Sequence, residues 1–335
     1  MPGLSHSSRP SSARRPSRLS EVPTATSPDF ASPALLALGQ LLREHDYVFT
    51  VVTPATHAIV LRRDARLASS LRDVFGWNLP FEPMQFRVAA DLLAAAGALL
   101  PLSNGLVRSA VRYASVGARL FVHSGFPTLG EASVFFGPDT LRFARAIGEL
   151  ASRGPLGRVV DIGAGSGAGG IFALPHSTSV VLSDINAAAL NAARTNLVLN
   201  DARATTCYSD ILSGVEGPID TVLANPPFMA DSLGRAYRDG GGLLGTGLAV
   251  RIAEQALARL APGGRLLLYS GAPIVGGRDV LAEALGTLRS SAASEWRYEE
   301  IDPDIFGDEL SEPGYRAVER IAAVQLTVTM AQSAK

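Results

Sequence analysis

The apolar positions between residues 32 and 130 follow a helical period. Two stripes recur every three or four positions, and their members are Leu35, Leu36, Leu38, Leu41 and Leu42, then Leu67, Leu71, Val74 and Phe75. Residues spaced in this way share one face of a helix, so both stripes predict amphipathic helices. Ser32 with Pro33, and Asp64, are residue types that favour helix starts. We predict a further helix over residues 84–99.

Two runs of alternating apolar and polar residues follow this last helix. They cover residues 106–114 and 118–124 and flank Ser115, Val116 and Gly117. Alternation on both sides of a short turn is typical of a β-hairpin. The sequence therefore predicts a small, helix-rich N-terminal domain with a β wing over residues 31–130.

Beyond residue 130 the pattern changes to short β-branched runs separated by Ala- and Leu-rich helices. The five candidate strands lie in RVVDIGAGSG, SVVLSDIN, ATTCYSDI, IDTVLANPP and GRLLLYSG. The helices between them include residues 187–199 and 248–260. This alternation is typical of βαβ units around a buried parallel sheet. The last two runs, WRYEEIDP and ERIAAVQLTVTM, have no crossover helix between them, so we predict an antiparallel final hairpin.

The first 30 residues differ from the rest in composition. Residues 1–30 are rich in Ser, Pro and Arg and contain few large apolar side chains, so they cannot bury enough surface to offset their ordering entropy. We predict a disordered tail. An Arg- and Ser-rich, acid-poor segment also resembles an organelle transit peptide, but Pro10 and Pro16 interrupt any amphipathic helix.

The net charge and the cysteine content argue against several classes of protein. A formal net charge of -1 provides no broad positive field for a polyanion. Cys207 is the single cysteine, which argues against a disulfide framework and a thiolate zinc site and favours a reducing compartment, the cytoplasm. The most apolar stretch, residues 88–102, is shorter than the roughly 18 to 20 residues of a membrane span, so we expect no membrane partner.

A glycine-rich turn follows the first strand of the second region. Residues 159–170 read VVDIGAGSGAGG, with Asp161 ending the apolar run and Gly163, Gly165 and Gly167 at alternate positions. Glycine allows positive φ and lets a ligand approach the backbone at the carboxyl edge of a sheet. Asp184 ends the next predicted strand, at about the 20-residue distance from which an acid can accept the hydroxyls of a ribose.

This stretch resembles the S-adenosylmethionine site of class I methyltransferases, whose fold is a Rossmann-like doubly wound sheet. The resemblance implies an α/β fold, mostly parallel with an antiparallel last strand, over residues 131–335. It also implies S-adenosyl-L-methionine as cofactor and a set of cofactor-binding residues. By the resemblance these are Asp161, Gly163, Gly165 and Gly167 in the turn, Asp184 on the ribose, Ile185, Asp210 and Ile211 around the adenine, and Asn225, which is also a predicted catalytic residue. For Asp210 a helix N-cap is an alternative role.

The tetrapeptide Asn225-Pro226-Pro227-Phe228 ends the fourth predicted strand. Two prolines fix φ and remove two backbone donors, so Asn225 and the Pro226 carbonyl are held rigidly at the edge of the sheet. Both oxygens can accept from a planar amino or amide nitrogen, and Phe228 can stack on the group that carries it. The tetrapeptide resembles that of methyltransferases acting on release-factor glutamine, rRNA guanine or DNA adenine. Catalysis in that group needs no metal and no covalent nucleophile, because the site mainly aligns the reacting atoms.

Sequence around the tetrapeptide extends the resemblance over residues 135–270. In FFGPDTLRFARAI, Asp139 and Thr140 match positions that cap a helix beside the cofactor. The acceptor stays open between a protein glutamine, a nucleic-acid base and a small molecule. We therefore carry forward N-methyl transfer, with two alternatives: cyclisation of S-adenosylmethionine to azetidine-2-carboxylate and methylthioadenosine, or a non-enzymatic cofactor-binding scaffold.

Two further features have less specific interpretations. His123 could accept a proton, although a single histidine beside a strand is more often structural. The acids Asp302, Asp304, Asp308 and Glu309 do not match the spacing of a metal-binding loop, and we predict a solvated loop there.

Overall fold

The computed structural model describes residues 28–63, 67–128, 130, 132–230, 238–289 and 292–332. The tail predicted over residues 1–30 thus lies almost wholly outside the described residues, as does the helix start predicted at Asp64. At the described end of that segment, Phe30 is buried in the N-terminal core.

The N-terminal region contains four helices and four short strands among its described residues. They are α1 (Pro33–Glu44), α2 (Pro54–Arg63), α3 (Leu71–Phe75), α4 (Arg87–Ala95), β1 (Leu99–Pro101), β2 (Val107–Ser109), β3 (Val111–Val116) and β4 (Arg119–Ser124). The helix start at Ser32 is confirmed, because its Oγ accepts a hydrogen bond from Ala34 N and Pro33 is the first helical residue. The helix predicted over residues 84–99 is shorter, because Gly97 has a φ of +61° and the chain then enters β1.

The β wing is confirmed as an antiparallel pair of β3 and β4. Val116 pairs with Arg119, so the turn consists of Gly117 and Ala118 and lies slightly later than predicted. Gly117 adopts a φ of +59°, the left-handed conformation that this tight turn requires.

The second region alternates strands and helices as predicted. Its elements are α5 (Pro138–Ser152), β5 (Gly157–Ile162), α6 (Ala168–Ala173), β6 (Ser177–Asp184), α7 (Ala187–Leu199), β7 (Thr205–Tyr208), β8 (Ile219–Ala224), α8 (Gly247–Arg259), β9 (Leu260–Val275), β10 (Arg278–Asp279), α9 (Val280–Gly286), β11 (Ala293–Asp302) and β12 (Arg320–Met330). The strand order is β7-β6-β5-β8-β9-β12-β11, with β10 paired to β9. The neighbours from β7 to β9 are parallel, whereas β12 runs antiparallel to both β9 and β11. The predicted Rossmann-like sheet with an antiparallel end is confirmed.

Both faces of this sheet are covered by helices. Val159 on β5 packs into a core with α5, α6 and α7, whereas the next residue, Val160, packs into a core with α8 and α9. Successive side chains of a strand point to opposite faces, so strands buried on both sides must be apolar throughout, as these are. Because β6 and β8 both run parallel to β5, the carboxyl ends of these three strands lie at one edge of the sheet.

Helix α7 joins the two regions through buried side-chain amides. Asn196 Oδ1 accepts from Val122 N at 2.7 Å, and its Nδ2 donates to Val122 O at 3.0 Å and to Ser166 O at 2.9 Å. Asn200 bonds the backbone of Leu120 in the same way. One edge of the β wing is therefore paired with α7, and Asn196 also holds the glycine-rich turn. Within the described part of the chain, none of the helices has the length and apolar character needed to cross a membrane.

Candidate active site

A cavity of about 250 Å³ opens at the carboxyl ends of β5, β6 and β8. Both the glycine-rich turn and the tetrapeptide open into this one cavity, as the resemblance requires. The predicted site residues that line it are Asp139, Thr140, Asp161, Gly163, Gly165, Asp184, Ile185, Asp210, Ile211, Asn225, Pro226 and Phe228.

Gly167 is the predicted site residue that does not line this cavity. It has a φ of +78° and immediately precedes α6. A Cβ on Gly167 would lie 3.0 Å from the Cβ of Ala193 on α7 and 3.1 Å from Leu182. Its position therefore serves the close packing of the turn against α7 rather than a ligand contact.

The first two glycines of the turn face the cavity with positive φ. Gly163 and Gly165 have φ values of +64° and +53°. A Cβ on Gly163 would meet no atom within 4 Å, so the space beside this backbone is open. Glycine here keeps the main chain accessible to a ligand from the cavity side.

Asp184 at the end of β6 is fixed by the backbone. Its Oδ2 accepts from Gly165 N at 2.9 Å and its Oδ1 accepts from Asn186 N at 2.8 Å. Burial raises the pKa of Asp184, and these backbone N–H donors oppose that rise. Each carboxylate oxygen has a second lone pair, so the fixed group can still accept hydroxyl donors from the cavity.

Asp161 is the most deeply buried acid of the site. Its Oδ2 accepts from Gly170 N at 2.7 Å in the first turns of α6. Burial raises the pKa of Asp161 to about 7, the Gly170 bond opposes this rise, and the negative charge of Asp184 adds to it. A positive charge placed in the cavity would favour the ionised form of both acids.

Asp210 and Ile211 follow β7 at the rim of the cavity. Ile211 has a φ of +53°, which is strained for a β-branched residue, and its carbonyl accepts from Ser209 Oγ at 3.0 Å. Residues 211–214 form turns and not an α-helix, so the N-cap alternative for Asp210 is wrong. The Asp210 carboxylate is exposed and lies 3.4 Å from Arg251 of α8.

Asp139 and Thr140 lie in the first turn of α5. Asp139 is buried, and its Oδ1 accepts from the hydroxyl of Tyr269 at 2.5 Å and from Arg142 at 3.1 Å. Burial raises the pKa of Asp139, and these two donors oppose the rise. Thr140 Oγ1 accepts from Gly137 N at 3.4 Å, so it does help to cap α5. Tyr269 of β9 thus holds the Asp139 carboxylate, a role that its position in an apolar strand does not predict.

The tetrapeptide leaves β8 and is supported from two sides. Phe228 is 9% exposed, and its ring lies against Gly271 of β9, where any Cβ would collide with it. The backbone of Met229 donates to Arg238 O at 3.0 Å and accepts from Gly240 N at 2.9 Å. Asn225 is half-buried and lines the cavity, so its amide is accessible to a ligand there.

The loop of residues 303–319 also reaches the site. The prediction of a solvated loop is correct at Asp304 and Asp308, which are exposed, and wrong at Glu309. Ile305, Glu309 and Tyr315 are buried, and Phe306 lines the cavity. Glu309 pairs with Arg238, which also lines the cavity. Ile305 and Phe306 are two large apolar residues in succession between acidic residues, and this pattern could have indicated a partly buried segment.

His123 lies outside the cavity lining. It is buried, its Nδ1 lies 3.0 Å from Ser124 O, and its ring stacks on Phe136. Burial and the nearby charge of Arg112 hold its pKa well below the ordinary value. These contacts are those of a structural histidine. In the part of the chain that the structure describes, no cluster of three or more His, Cys, Asp or Glu side chains could hold a metal ion.

The cavity is lined mainly by acidic side chains among its charged residues. Asp139, Asp161, Asp184 and Asp210 line it, against the guanidinium of Arg238, which is itself paired with Glu309. Several carboxylates around one space favour a cationic ligand. Phe135, Phe228 and Phe306 also line the cavity and give it an aromatic component.

Comparison with known proteins identifies relatives of part of the chain. Residues 146–298 match the family model described as "Methyltransferase small domain". "Ribosomal RNA small subunit methyltransferase C" of Chromohalobacter salexigens is 33% identical over 127 residues, which cover 38% of this chain and 34% of the relative. The protein of the same name from Mannheimia succiniciproducens is 34% identical over 139 residues, covering 38% of each chain. The chain thus matches about a third of the length of these curated relatives.

Solved structures with a similar course of the chain include two RNA methyltransferases. The T. thermophilus 16S rRNA N2 G1207 methyltransferase aligns with a TM-score of 0.42 and 18% identity, over 75% of this chain and 64% of that chain. The M. jannaschii tRNA m1G37 methyltransferase aligns with a TM-score of 0.44 and 16% identity, over 67% of this chain and 58% of that chain.

Proposed function

We propose that the protein is an enzyme that transfers a methyl group from S-adenosyl-L-methionine to a nitrogen atom, starting from the match of residues 146–298 to the methyltransferase small domain model. The family match bears out the resemblance that the glycine-rich turn and the tetrapeptide carry. The observation that supports the activity best is their shared cavity, in which Gly163, Asp184 and Asn225 all take part.

The residues of the cavity fit the proposed cofactor. S-adenosylmethionine, when bound, supplies a methyl group activated by a sulfonium and carries a positive charge that carboxylates favour. The backbone of Gly163 and Gly165 is accessible, and Asp184 is fixed with lone pairs left for ribose hydroxyls. Asp161 is buried at a site where a nearby cation would favour its ionised form.

Further cofactor contacts are assigned by position. Asp210 and Ile211 at the rim would contact the adenine, with Ile185 on the other side of the ring. Asp139 and Thr140, at the start of α5, border the same cavity. Gly167 supports the turn by its packing against α7 and makes no proposed contact with the cofactor.

The tetrapeptide would align the acceptor. The side-chain oxygen of Asn225 and the carbonyl of Pro226 accept hydrogen bonds from the acceptor nitrogen, which directs its lone pair along the line of attack. S-adenosylmethionine would supply the methyl group and keep the electron pair of the C–S bond as a thioether, and the acceptor nitrogen would lose a proton to water. Phe228 contacts the planar group that carries the nitrogen.

We propose that the acceptor is an amino nitrogen of an RNA base. The named relatives are ribosomal RNA methyltransferases, although they align with the chain over only about a third of their length. These names also favour methyl transfer over the cyclisation of S-adenosylmethionine. With a single cysteine and an RNA acceptor, we place the enzyme in the cytoplasm.

The proposal is tested by calorimetry followed by product analysis. The protein should bind S-adenosylmethionine and S-adenosylhomocysteine, and incubation with RNA and labelled S-adenosylmethionine should give methylated nucleosides on mass spectrometry. Cofactor incubated without RNA should stay intact. Methylthioadenosine formed in that control would support the cyclisation instead, and failure to bind either cofactor would refute the proposed function.

A further inference from the structure

The loop of residues 303–319 is held over the cavity at several points. Ile305 N donates to Ile321 O of β12 at 2.8 Å, and the hydroxyl of Tyr315 accepts from Ala230 N at 2.7 Å. The second bond ties the loop to the chain that follows the tetrapeptide. The loop is therefore anchored on both sides of Phe306, which lines the cavity and contacts Phe228.

Phe306 occupies a strained backbone conformation within this loop. Its φ and ψ are 53° and 40°, in the left-handed region that a bulky aromatic residue rarely adopts. Such strain persists only where the surroundings fix it, and it is concentrated at functional sites. Here the neighbouring Ile305 is buried and bonded to β12, and Glu309 N donates to Phe306 O at 2.9 Å, so the loop imposes the conformation. The result is an aromatic side chain directed at the cavity.

Phe306 and Phe228 meet at an angle. Their ring centroids are 6.0 Å apart and their planes are inclined by 57°. This arrangement is a corner and not a parallel sandwich, so a flat ligand would stack on one ring and meet the edge of the other. Asn225 and Pro226 line the same cavity.

We infer that Phe306 is a specificity-determining residue, which with Phe228 forms an aromatic corner that selects a flat heteroaromatic base over an aliphatic amide as methyl acceptor. The inference rests on the proposed function, since it concerns the acceptor of that reaction. An aliphatic amide offers one small planar group, which the single ring of Phe228 can cover, so a second aromatic surface adds little to its recognition. A heteroaromatic base with an exocyclic amine uses both the oxygens and the rings, because every base has a π-face.

The test measures binding of small probes to the full chain saturated with S-adenosylhomocysteine. The probes are guanosine, adenosine and N-acetylglutamine amide, titrated by calorimetry into wild type, Phe306→Ala and Phe306→Tyr. We expect a nucleoside to bind the wild type, to lose about 5- to 150-fold in affinity in Phe306→Ala, and to recover most of it in Phe306→Tyr. Phe172→Ala is the matched control, because Phe172 is also partly buried but lies outside the cavity lining.

Cofactor binding separates the possible outcomes. Phe306→Ala should bind S-adenosylhomocysteine as the wild type does, which also shows that the variant is folded. The inference is overturned if the wild type binds the cofactor but no nucleoside, if the amide probe binds more tightly than the nucleosides, or if Phe306→Ala keeps wild-type nucleoside affinity. Failure of the wild type to bind S-adenosylhomocysteine would instead refute the proposed function itself.

Discussion

The ionised side chain of Asp161 should lower the free energy of unfolding at neutral pH. Burial raises its pKa from the ordinary value of 3.8 to about 7. Because this folded-state pKa lies above the unfolded-state pKa, ionisation of Asp161 lowers the free energy of unfolding. This destabilisation is absent below the unfolded-state pKa, grows as the pH rises towards 7, and is constant at higher pH. At 1.36 kcal/mol for each unit of pKa difference, the ionised carboxylate destabilises the folded state by about 4 kcal/mol.

The substitution Asp161→Asn should remove this cost. The asparagine carbonyl can still accept from Gly170 N, which donates to Asp161 Oδ2 at 2.7 Å. We expect the variant to be more stable than the wild type by up to about 4 kcal/mol at pH 8, and no more stable at pH 4. Urea unfolding followed by circular dichroism at both pH values measures the difference. Asp91→Asn is the control, because the Asp91 side chain is 74% exposed, and it should change little at either pH.

Cofactor binding gives a second measure of the same group. At pH 7 the buried carboxyl is partly protonated, and a cationic ligand favours the ionised form. Binding of S-adenosylmethionine to the wild type should therefore release part of a proton, seen as a calorimetric heat that varies with the ionisation enthalpy of the buffer. Asp161→Asn should lose that buffer dependence. An equal stability change at pH 4 and pH 8, or an unchanged buffer dependence in the variant, would refute the reasoning.

Four other substitutions test separate parts of the site. Asp184→Ala should weaken binding of S-adenosylhomocysteine by about 1.5 to 3 kcal/mol per lost hydrogen bond, and unchanged calorimetric affinity would remove this residue from the site. Asn225→Ala should abolish methylation of RNA; wild-type turnover by mass spectrometry would contradict its alignment role. Asn196→Ala leaves backbone groups of β4 and the glycine-rich turn without their amide partner, so urea unfolding should show a loss of about 3 kcal/mol or more. Gly271→Ala places a Cβ against the Phe228 ring and should lower turnover with cofactor affinity retained, whereas wild-type turnover would show that the ring can move freely.

The cofactor side of the site is predictable from the sequence because each part is a short local pattern. The glycines, Asp184 and the tetrapeptide each follow a strand, and a parallel sheet brings the carboxyl ends of its strands to one edge. Their spacing along the chain therefore fixes their meeting in space. Gly167 is the exception, because the same pattern that selects a glycine cannot distinguish a ligand contact from close packing against α7.

The connection between the regions is harder to predict. The bounds predicted for α7 are confirmed at Ala187–Leu199, yet nothing in its period shows that Asn196 pairs with the β wing. Its role depends on where β4 packs, which is a tertiary fact. The same reason explains why the prediction of a solvated loop around Asp302, Asp304, Asp308 and Glu309 is only partly correct. Asp304 and Asp308 are exposed, whereas Glu309 is buried, as are Ile305 and Tyr315, through tertiary packing that the local sequence does not show.

The two halves of the cavity therefore have different physical origins, and each contains a group that the fold holds at a cost. Asp161 is an acid whose burial raises its pKa, and Phe306 is an aromatic residue with a positive φ. Local rules of propensity and burial disfavour both, and such conflicts are expected where function rather than stability selects the residue. The stability that tolerates them comes from the two apolar faces of the sheet. Phe306, in the proposed acceptor wall, belongs to a loop joined to the antiparallel end of the sheet. Changes in that loop should therefore alter acceptor choice without disturbing the parallel strands that carry the proposed cofactor site.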